Sequence, residues 1–516
     1  MSDRNARSSA VSVVGHAWPR VKAIASSDLF WIVLIAGLSL LFYVRMLNDW
    51  FQTDDFLFLR ASNFIGPLGY VREAFDFTGF DKHLAYIDFI RDDDIALPFL
   101  AFRPFYFVGL EAMYLAFGEN PLGYHAVSLG IHLVNVYLVW RIATRLVQGS
   151  VGPRLAALFF AIHPVYLIAV SWISDVGTPA STLMALGAVL LFVKSIECKP
   201  LHLAWYLAAL ALYTSSLFFH AQTISWVAMM AAFYFLMDRD RFARVLRPKS
   251  WVVILPFAAV AAAVYQLQAW IVETYTPVQQ GFYHFGPHML THFKNLASAF
   301  LFPFGGNQPS EAHFAAFVAL LILIAVLPVL DFARRRSLLP PFPHLVAIVW
   351  FLAAVAPLLT PDGFFFVGVL NRKAYVAGPS FAIMVVLLGT WLIDLVPPRA
   401  QVLAQAAAAL LVVVALLGAF KASSDGISSF AVGGWESERF VMQLQEEYPS
   451  LPEGGTLYVV NAPFSMRLFG DNYLVAAVKA FYGKVDAYNV TGEQADELEM
   501  MLGERDRIFR YKISLN

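Results

Sequence analysis

The sequence predicts a polytopic α-helical membrane protein with interfacial helices in its first outer loop and a small C-terminal α/β domain. Three observations carry this. The 516-residue chain is 59% hydrophobic and only 14% charged, with a mean hydropathy of +0.62. Soluble domains carry about 25% charged residues, so most of this chain faces lipid or other helices. Apolar runs of spanning length recur from residue 28 to residue 420, and beyond 421 the pattern changes to alternating strand and helix.

Residues 1–27 are polar and basic without a cleavage-type pattern, so the first apolar run is read as a retained anchor behind a cytoplasmic segment. Candidate spans follow at 28–46, 122–147, 154–172, 178–196, 203–219, 222–237, 251–271, 312–330, 343–359, 375–395 and 401–420. That is about eleven spans. Basic residues alternate with them: Arg141, Arg145 and Arg154, then Lys194 and Lys199, then Arg239 to Lys249, then Arg334 to Arg336, then Arg399. By the positive-inside rule these loops are cytoplasmic, and Asp54, Asp55 and residues 421–516 lie on the outer face. A bacterial inner membrane fits, with the C-terminal domain periplasmic.

The outer segments have their own signals. Arg103 to Phe117 has Pro104 near its start and reads as an interfacial helix. Residues 273–311 carry His284, His288 and His292 at helical spacing, and Pro361 to Ala374 carries Arg372 and Lys373 on a side the charge rule leaves poor in them. In the tail, Thr456 to Val460 reads as a strand, Tyr473 to Phe481 as a helix, Val485 to Val490 as a strand, and Ile508 to Ile513 as a third strand. Thr491 with Gln494 forms a capping-box signal.

Composition excludes several classes. Net charge is −1 and no basic face dominates, so nucleic acid is no partner. Cys198 stands alone, which excludes an intrachain disulfide and a Cys-based zinc cluster. The histidines His125, His132 and His163 read as hydrogen-bonding groups between helices rather than haem ligands. Asp92-Asp93-Asp94, with Asp81 and His83, reads as a solvated acidic loop, and Asn489-Val490-Thr491 is a bare glycosylation-type triplet. No cofactor is established; a divalent metal is left open.

The chemistry sits with Asp54 and Asp55, just beyond the first span. Sugar transfer from a polyprenyl phosphate needs a carboxylate base at the membrane face, cations on the phosphate leaving group, and a lipid-accessible groove. Asp54, Asp55 and Asp175 supply acids, and Arg103, Arg372 and Lys373 supply cations, all on the predicted outer side.

Several short motifs then resemble a known family: Phe102-Arg103-Pro104-Phe105, the stretch Phe117 to His125, Ile131 to Asn135, Phe160 to Val165, and Asn371 to Tyr375 with Pro379-Ser380. They resemble the GT-C membrane glycosyltransferases, in particular the transmembrane tetratricopeptide O-mannosyltransferases and dolichyl-phosphate-mannose mannosyltransferase-like proteins. The likeness covers about residues 28–395. It implies a GT-C fold over 28–420, a first-loop catalytic acid at Asp54 or Asp55, Arg372 near the donor phosphate with Tyr375 beside it, and Arg103 walling the site. The implied partners are a polyprenyl-phosphate-linked sugar, a protein, lipid or glycan acceptor, and the bilayer. The pattern departs at Ile168, where related sequences carry an acid, and in the missing basic residue of the next turn, leaving Asp175 as a substitute. The tetratricopeptide repeats are absent. The expected function is an inverting transfer at the outer face. The alternatives are a transporter or flippase of a lipid-linked saccharide, which no internal repeat favours, and a scaffold with a degenerate site.

Overall fold

A computed structural model describes residues 27–59, 66–76, 102–198, 200–275, 285–301, 311–335, 342–360, 372–467 and 472–512. Thus residues 1–26, His284, Asp81, His83 and Asp92–Asp94 lie outside the described residues.

The described helices are α1 (Asp28–Tyr43), α2 (Asp55–Phe58), α3 (Gly66–Phe75), α4 (Pro104–Phe117), α5 (Pro121–Leu146), α6 (Val151–Ile162), α7 (Leu167–Ser171) and α8 (Gly177–Glu197). Next come α9 (Leu203–Phe219), α10 (Val227–Leu236), α11 (Arg239–Phe242), α12 (Leu255–Tyr275), α13 (His288–Leu301), α14 (Glu311–Arg335), α15 (Pro343–Leu359), α16 (Gly378–Leu395) and α17 (Pro398–Glu447). The C-terminal elements are β1 (Thr456–Val460), α18 (Phe464–Arg467), α19 (Asn472–Tyr482), β2 (Asp486–Val490), α20 (Gly492–Glu499) and β3 (Arg507–Arg510). The helical membrane architecture and the terminal α/β unit therefore match the expected class. Among the described residues, five helices are long and apolar enough to cross a membrane, or six with one bent pair counted as a span.

That bent pair shows how local sequence shapes the bundle. The run expected at 154–172 breaks at His163-Pro164 and bends by 45°. Proline lacks the amide hydrogen a helix needs and drives the preceding residue to extended backbone. His163 has φ −70° and ψ 120°, and its Nδ1 accepts from the Val165 amide as a cap. Its Nε2 bonds the Phe300 carbonyl at 3.0 Å, anchoring the bend to α13. The turn before α5 is built similarly: Gly118 sits at φ +57°, and the Asn120 side chain accepts from the Leu122 amide ahead of Pro121.

The two ends of the bundle carry different chemistry. At one end Arg154 pairs with Asp28 at 2.7 Å and lies over Trp31, Arg145 pairs with Glu197, and Arg241 donates to the Ile196 carbonyl at 2.5 Å. The start of α6 and the end of α8 are thus gathered with the basic loops. The opposite ends of these helices hold His163 and Asp175.

Helix α17 does not stop at residue 420, where the span was expected to end. Its 50 residues rise roughly 75 Å and carry the chain directly into the C-terminal unit. There β1 is central in a parallel sheet of order β2-β1-β3, with Tyr458 opposite Tyr488 and Ile508. Leu457 and Val459 point inward from β1 and pack with Ala487, Phe509 and the α19 face of Leu474 to Val478. Phe51 and Phe56 of the first loop belong to the same apolar core. The expected capping box is present: Thr491 and Gln494 each accept from the other's amide.

Candidate active site

The first-loop acids follow a strained turn. Thr53 adopts φ +47°, unusual for a β-branched residue, and this sets Asp54 and Asp55 at the start of α2. Their surroundings then diverge. Asp55 is 4% exposed. Its Oδ2 accepts from the Gln52 amide at 3.0 Å, and its Oδ1 accepts from both the amide (2.8 Å) and the hydroxyl of Ser174. Burial pushes its carboxyl up to about 7, against the opposing pull of those hydrogen bonds. Asp54 is half-buried and accepts from the Tyr473 hydroxyl of α19.

Ser174 lies in the turn Ile173–Asp175 between α7 and α8, and that turn joins the site together. Tyr106 of α4 donates to the Ser174 carbonyl at 2.6 Å. Gly177 admits the Tyr106 ring, since a Cβ there would sit 2.8 Å from it. The next residue, Asp175, is buried; its Oδ1 accepts from Thr178 Oγ1 at 2.9 Å and from Lys373 Nζ at 3.1 Å. Its Oδ2 has no hydrogen-bond partner among the described residues. On the other side of the turn, the Arg372 guanidinium stacks 4.4 Å from the Trp172 ring, and its buried Nε has no hydrogen-bond partner among the described residues.

Lys373 also reaches Thr178 Oγ1 at 3.3 Å and His220 Nε2 at 3.0 Å. Burial, followed by repulsion from Arg372 and Arg103 against the attraction of Asp175, brings its amine down to about 7. Burial and the surrounding cations hold His220 well below its ordinary value. Arg103 precedes α4, its carbonyl accepting from the Tyr106 and Phe107 amides at 3.0 and 3.2 Å. Its charge acts on both Lys373 and His220.

Six of the seven sequence-proposed residues are thus brought to one neighbourhood. Tyr375 is not among them. It is fully buried: its hydroxyl lies 2.8 Å from His132 Nδ1 and accepts from Asn135 at 3.0 Å, while His132 Nε2 bonds the Ala161 carbonyl. It ties α5, α6 and α16 together behind the charged group. His125 bonds the Asp49 carbonyl at 3.0 Å, and His288 and His292 bond the carbonyls of Thr360 and Leu359, so these histidines hold backbone. Asn489 accepts from the Ala462 amide at 3.2 Å. Among the described residues, no three acids, imidazoles or thiols converge as a metal site would require. Both Asp55 oxygens are occupied by donors.

Sequence reading missed Ser174, Trp172, Thr178, His220 and Tyr473. Ser174 and Trp172 stand in the same short turn as Asp175, a usable signal. Tyr473 lies 419 residues from Asp54, and nothing local marks it.

No protein-family profile matches the chain. Over 154 residues it is 29% identical to the protein O-mannosyl-transferase Tmtc1 of Drosophila melanogaster, a stretch covering 29% of this chain and 16% of that protein. The chain therefore matches about a sixth of its curated relative's length. Among solved structures, an oligosaccharyltransferase of Archaeoglobus fulgidus tethered to an acceptor peptide superposes with a TM-score of 0.49 at 16% identity, covering 90% of this chain and 64% of that one. The AglB oligosaccharyltransferase of the same organism, in complex with an inhibitory peptide and a dolichol-phosphate, gives 0.47 at 15% identity over 89% and 64%. ArnT of Cupriavidus metallidurans, bound to undecaprenyl phosphate, gives 0.41 at 14% identity over 94% and 90%.

Proposed function

We propose that this chain is a membrane glycosyltransferase of the GT-C type, a reading supported by its partial likeness to the Drosophila O-mannosyl-transferase, and that it transfers a sugar from a polyprenyl-phosphate carrier to an acceptor at the outer membrane face. One observation carries this reading. The turn Trp172–Asp175 links a carboxylate pair, through Ser174, to a basic group of Arg372 and Lys373. A base for the acceptor and cations for the departing phosphate are what such a displacement requires on either side of the anomeric carbon.

Asp54 is the base in this reading. It is the more exposed acid, and Asp55 is saturated by three donors that hold the loop. The acceptor hydroxyl loses its proton to Asp54 as its oxygen attacks the anomeric carbon. The bond from that carbon to the phosphate oxygen breaks, and the configuration inverts. Arg372 meets the growing phosphate charge with its guanidinium, whose buried Nε has no hydrogen-bond partner among the described residues. Lys373 lies beside it, and Arg103 closes the far wall. The exposed apolar face of α17, from Val402 to Leu417, offers the lipid tail its route.

The test is transfer by detergent-purified protein from a panel of radiolabelled polyprenyl-phosphate sugars, with membrane extract as acceptor. Label entering a new product, and lost in Asp54→Asn, supports the reading. A carrier that crosses vesicle membranes unaltered, with Asp54→Asn indifferent, overturns it in favour of transport.

A further inference from the structure

The partners of the Lys373 amine reveal its charge. Nζ lies near Asp175 Oδ1, Thr178 Oγ1 and His220 Nε2, at 3.1, 3.3 and 3.0 Å. His220 caps the turn Ala221–Trp226, its Nδ1 accepting from the Gln222 amide at 3.4 Å. A ring whose Nδ1 accepts is not doubly protonated, and its one proton sits on Nε2. That N–H faces Nζ. An ammonium has three donors and no lone pair, so it would set N–H against N–H. An uncharged amine has two N–H groups and one lone pair, which matches two acceptors and one donor.

The remaining bonds agree. Thr178 gives its hydroxyl proton to Asp175 Oδ1 and so keeps a lone pair for Nζ. Every contact in the cluster then has one donor and one acceptor. The charged and titratable groups facing Nζ are Asp175, His220, Arg372 and Arg103. Two of these are permanent cations set against the single carboxylate of Asp175, so a third buried positive charge is left uncompensated until a second anion arrives.

We infer that Lys373 is an uncharged amine in the free protein and becomes the ammonium when a lipid phosphate binds beside Arg372, taking one proton from solvent. The Nζ lone pair forms the new N–H bond with a proton given up by the buffer acid. The His220 Nε2–H, no longer accepted by Nζ, becomes a further donor for phosphate oxygen. The site thus switches its charge on with its ligand. This rests on the donor reading above, from which the phosphate chemistry comes.

The experiment is calorimetric titration of the purified full chain with undecaprenyl phosphate at about pH 8, in two buffers of different ionisation enthalpy. The lipid phosphate is then mostly a dianion and cations around it do not favour its protonation, so proton uptake reports on the protein. Uptake of about one proton per lipid bound is expected, and about none in Lys373→Arg, which keeps a fixed cation. Equal enthalpies in both buffers with binding intact overturn the switch and leave the donor reading standing. Uptake undiminished in Lys373→Arg overturns the assignment to Lys373. Failure of the natural protein to bind the lipid phosphate overturns the donor reading and the switch together.

Discussion

Asp55 Oδ1 accepts from both the amide and the hydroxyl of Ser174, 119 residues away in the chain. This contact fastens the first loop to the turn that also carries Trp172 and Asp175, so the acids and the cations share one frame. The two adjacent acids consequently have different surroundings, on which the roles proposed for them rest. Asp54→Asn is expected to lower the transfer rate by about 10²–10⁴-fold with little change in thermal stability. Asp55→Asn turns an amide N–H toward one set of donors, and is expected to lower stability by about 1–3 kcal/mol as well as activity. Thermal unfolding alongside transfer rates separates the two. Equal loss of stability in both variants would remove the division of roles.

The pH dependence of stability follows from burial of the same carboxyl. Asp55 is raised from 3.8 to about 7, so the folded chain holds that proton more tightly than the unfolded chain. This group's contribution to stability is then full below about pH 4, is lost as pH rises toward about 7, and is flat beyond. Asp49, pushed up to about 7 by burial, adds the same slope. Asp55→Asn should leave only the Asp49 share, read from unfolding midpoints across this window. A slope unchanged by the substitution would contradict the burial argument.

Helix α17 bears on the first loop through two glycines. A Cβ at Gly434 would lie 2.8 Å from the Trp50 carbonyl oxygen and 3.1 Å from its amide nitrogen, and one at Gly433 would lie 2.3 Å from the end of the Gln52 side chain. Backbone cannot yield as a side chain can. Gly434→Ala should therefore cost about 1–3 kcal/mol and depress transfer, although it touches neither acid. Gly37→Ala in α1, with nothing within 4 Å of the added methyl, is the control and should be neutral or slightly stabilising. Matching behaviour of the two variants would show that this contact does not constrain the loop.

Arg372 stacks on Trp172, so the role proposed for it calls for a flat cation and not for charge alone. Arg372→Lys keeps the charge but loses the planar face. Donor binding should weaken about two- to thirtyfold, seen as a higher KM for the lipid-linked sugar. An unaltered KM with a reduced kcat would instead put Arg372 at the transition state only.

The Tyr473 hydroxyl and the stacking of Trp50 on Phe481, 6.0 Å between ring centroids, join the C-terminal unit to the loop bearing the acids. Tyr473→Phe keeps the ring and deletes the donor. Stability should fall by about 1 kcal/mol and transfer should drop, with the sheet retained by circular dichroism. Full transfer activity in this variant would mean that the α19 contact does not orient Asp54.

The membrane class and the helices at the long apolar runs could be read from the chain, because length and apolar composition are local properties. The same holds for β1 and for the Thr491–Gln494 cap, whose partners are three residues apart. The candidate residues were legible by type, since sugar transfer from a lipid phosphate calls for acids and cations on the predicted outer side. Their different surroundings were not legible. Asp54 and Asp55 are chemically identical neighbours, and only the contact of the Ile173–Asp175 turn with one and of α19 with the other distinguishes them. Tyr375 follows Lys373 by two positions, yet the turn Ala374–Ala377 ahead of α16 directs it into the core while Lys373 meets Asp175. Sequence alone determined which chemical groups border the apolar runs. Tertiary structure decided which are buried, which are paired and which are accessible, because desolvation and hydrogen bonding depend on neighbours that arrive from hundreds of residues away.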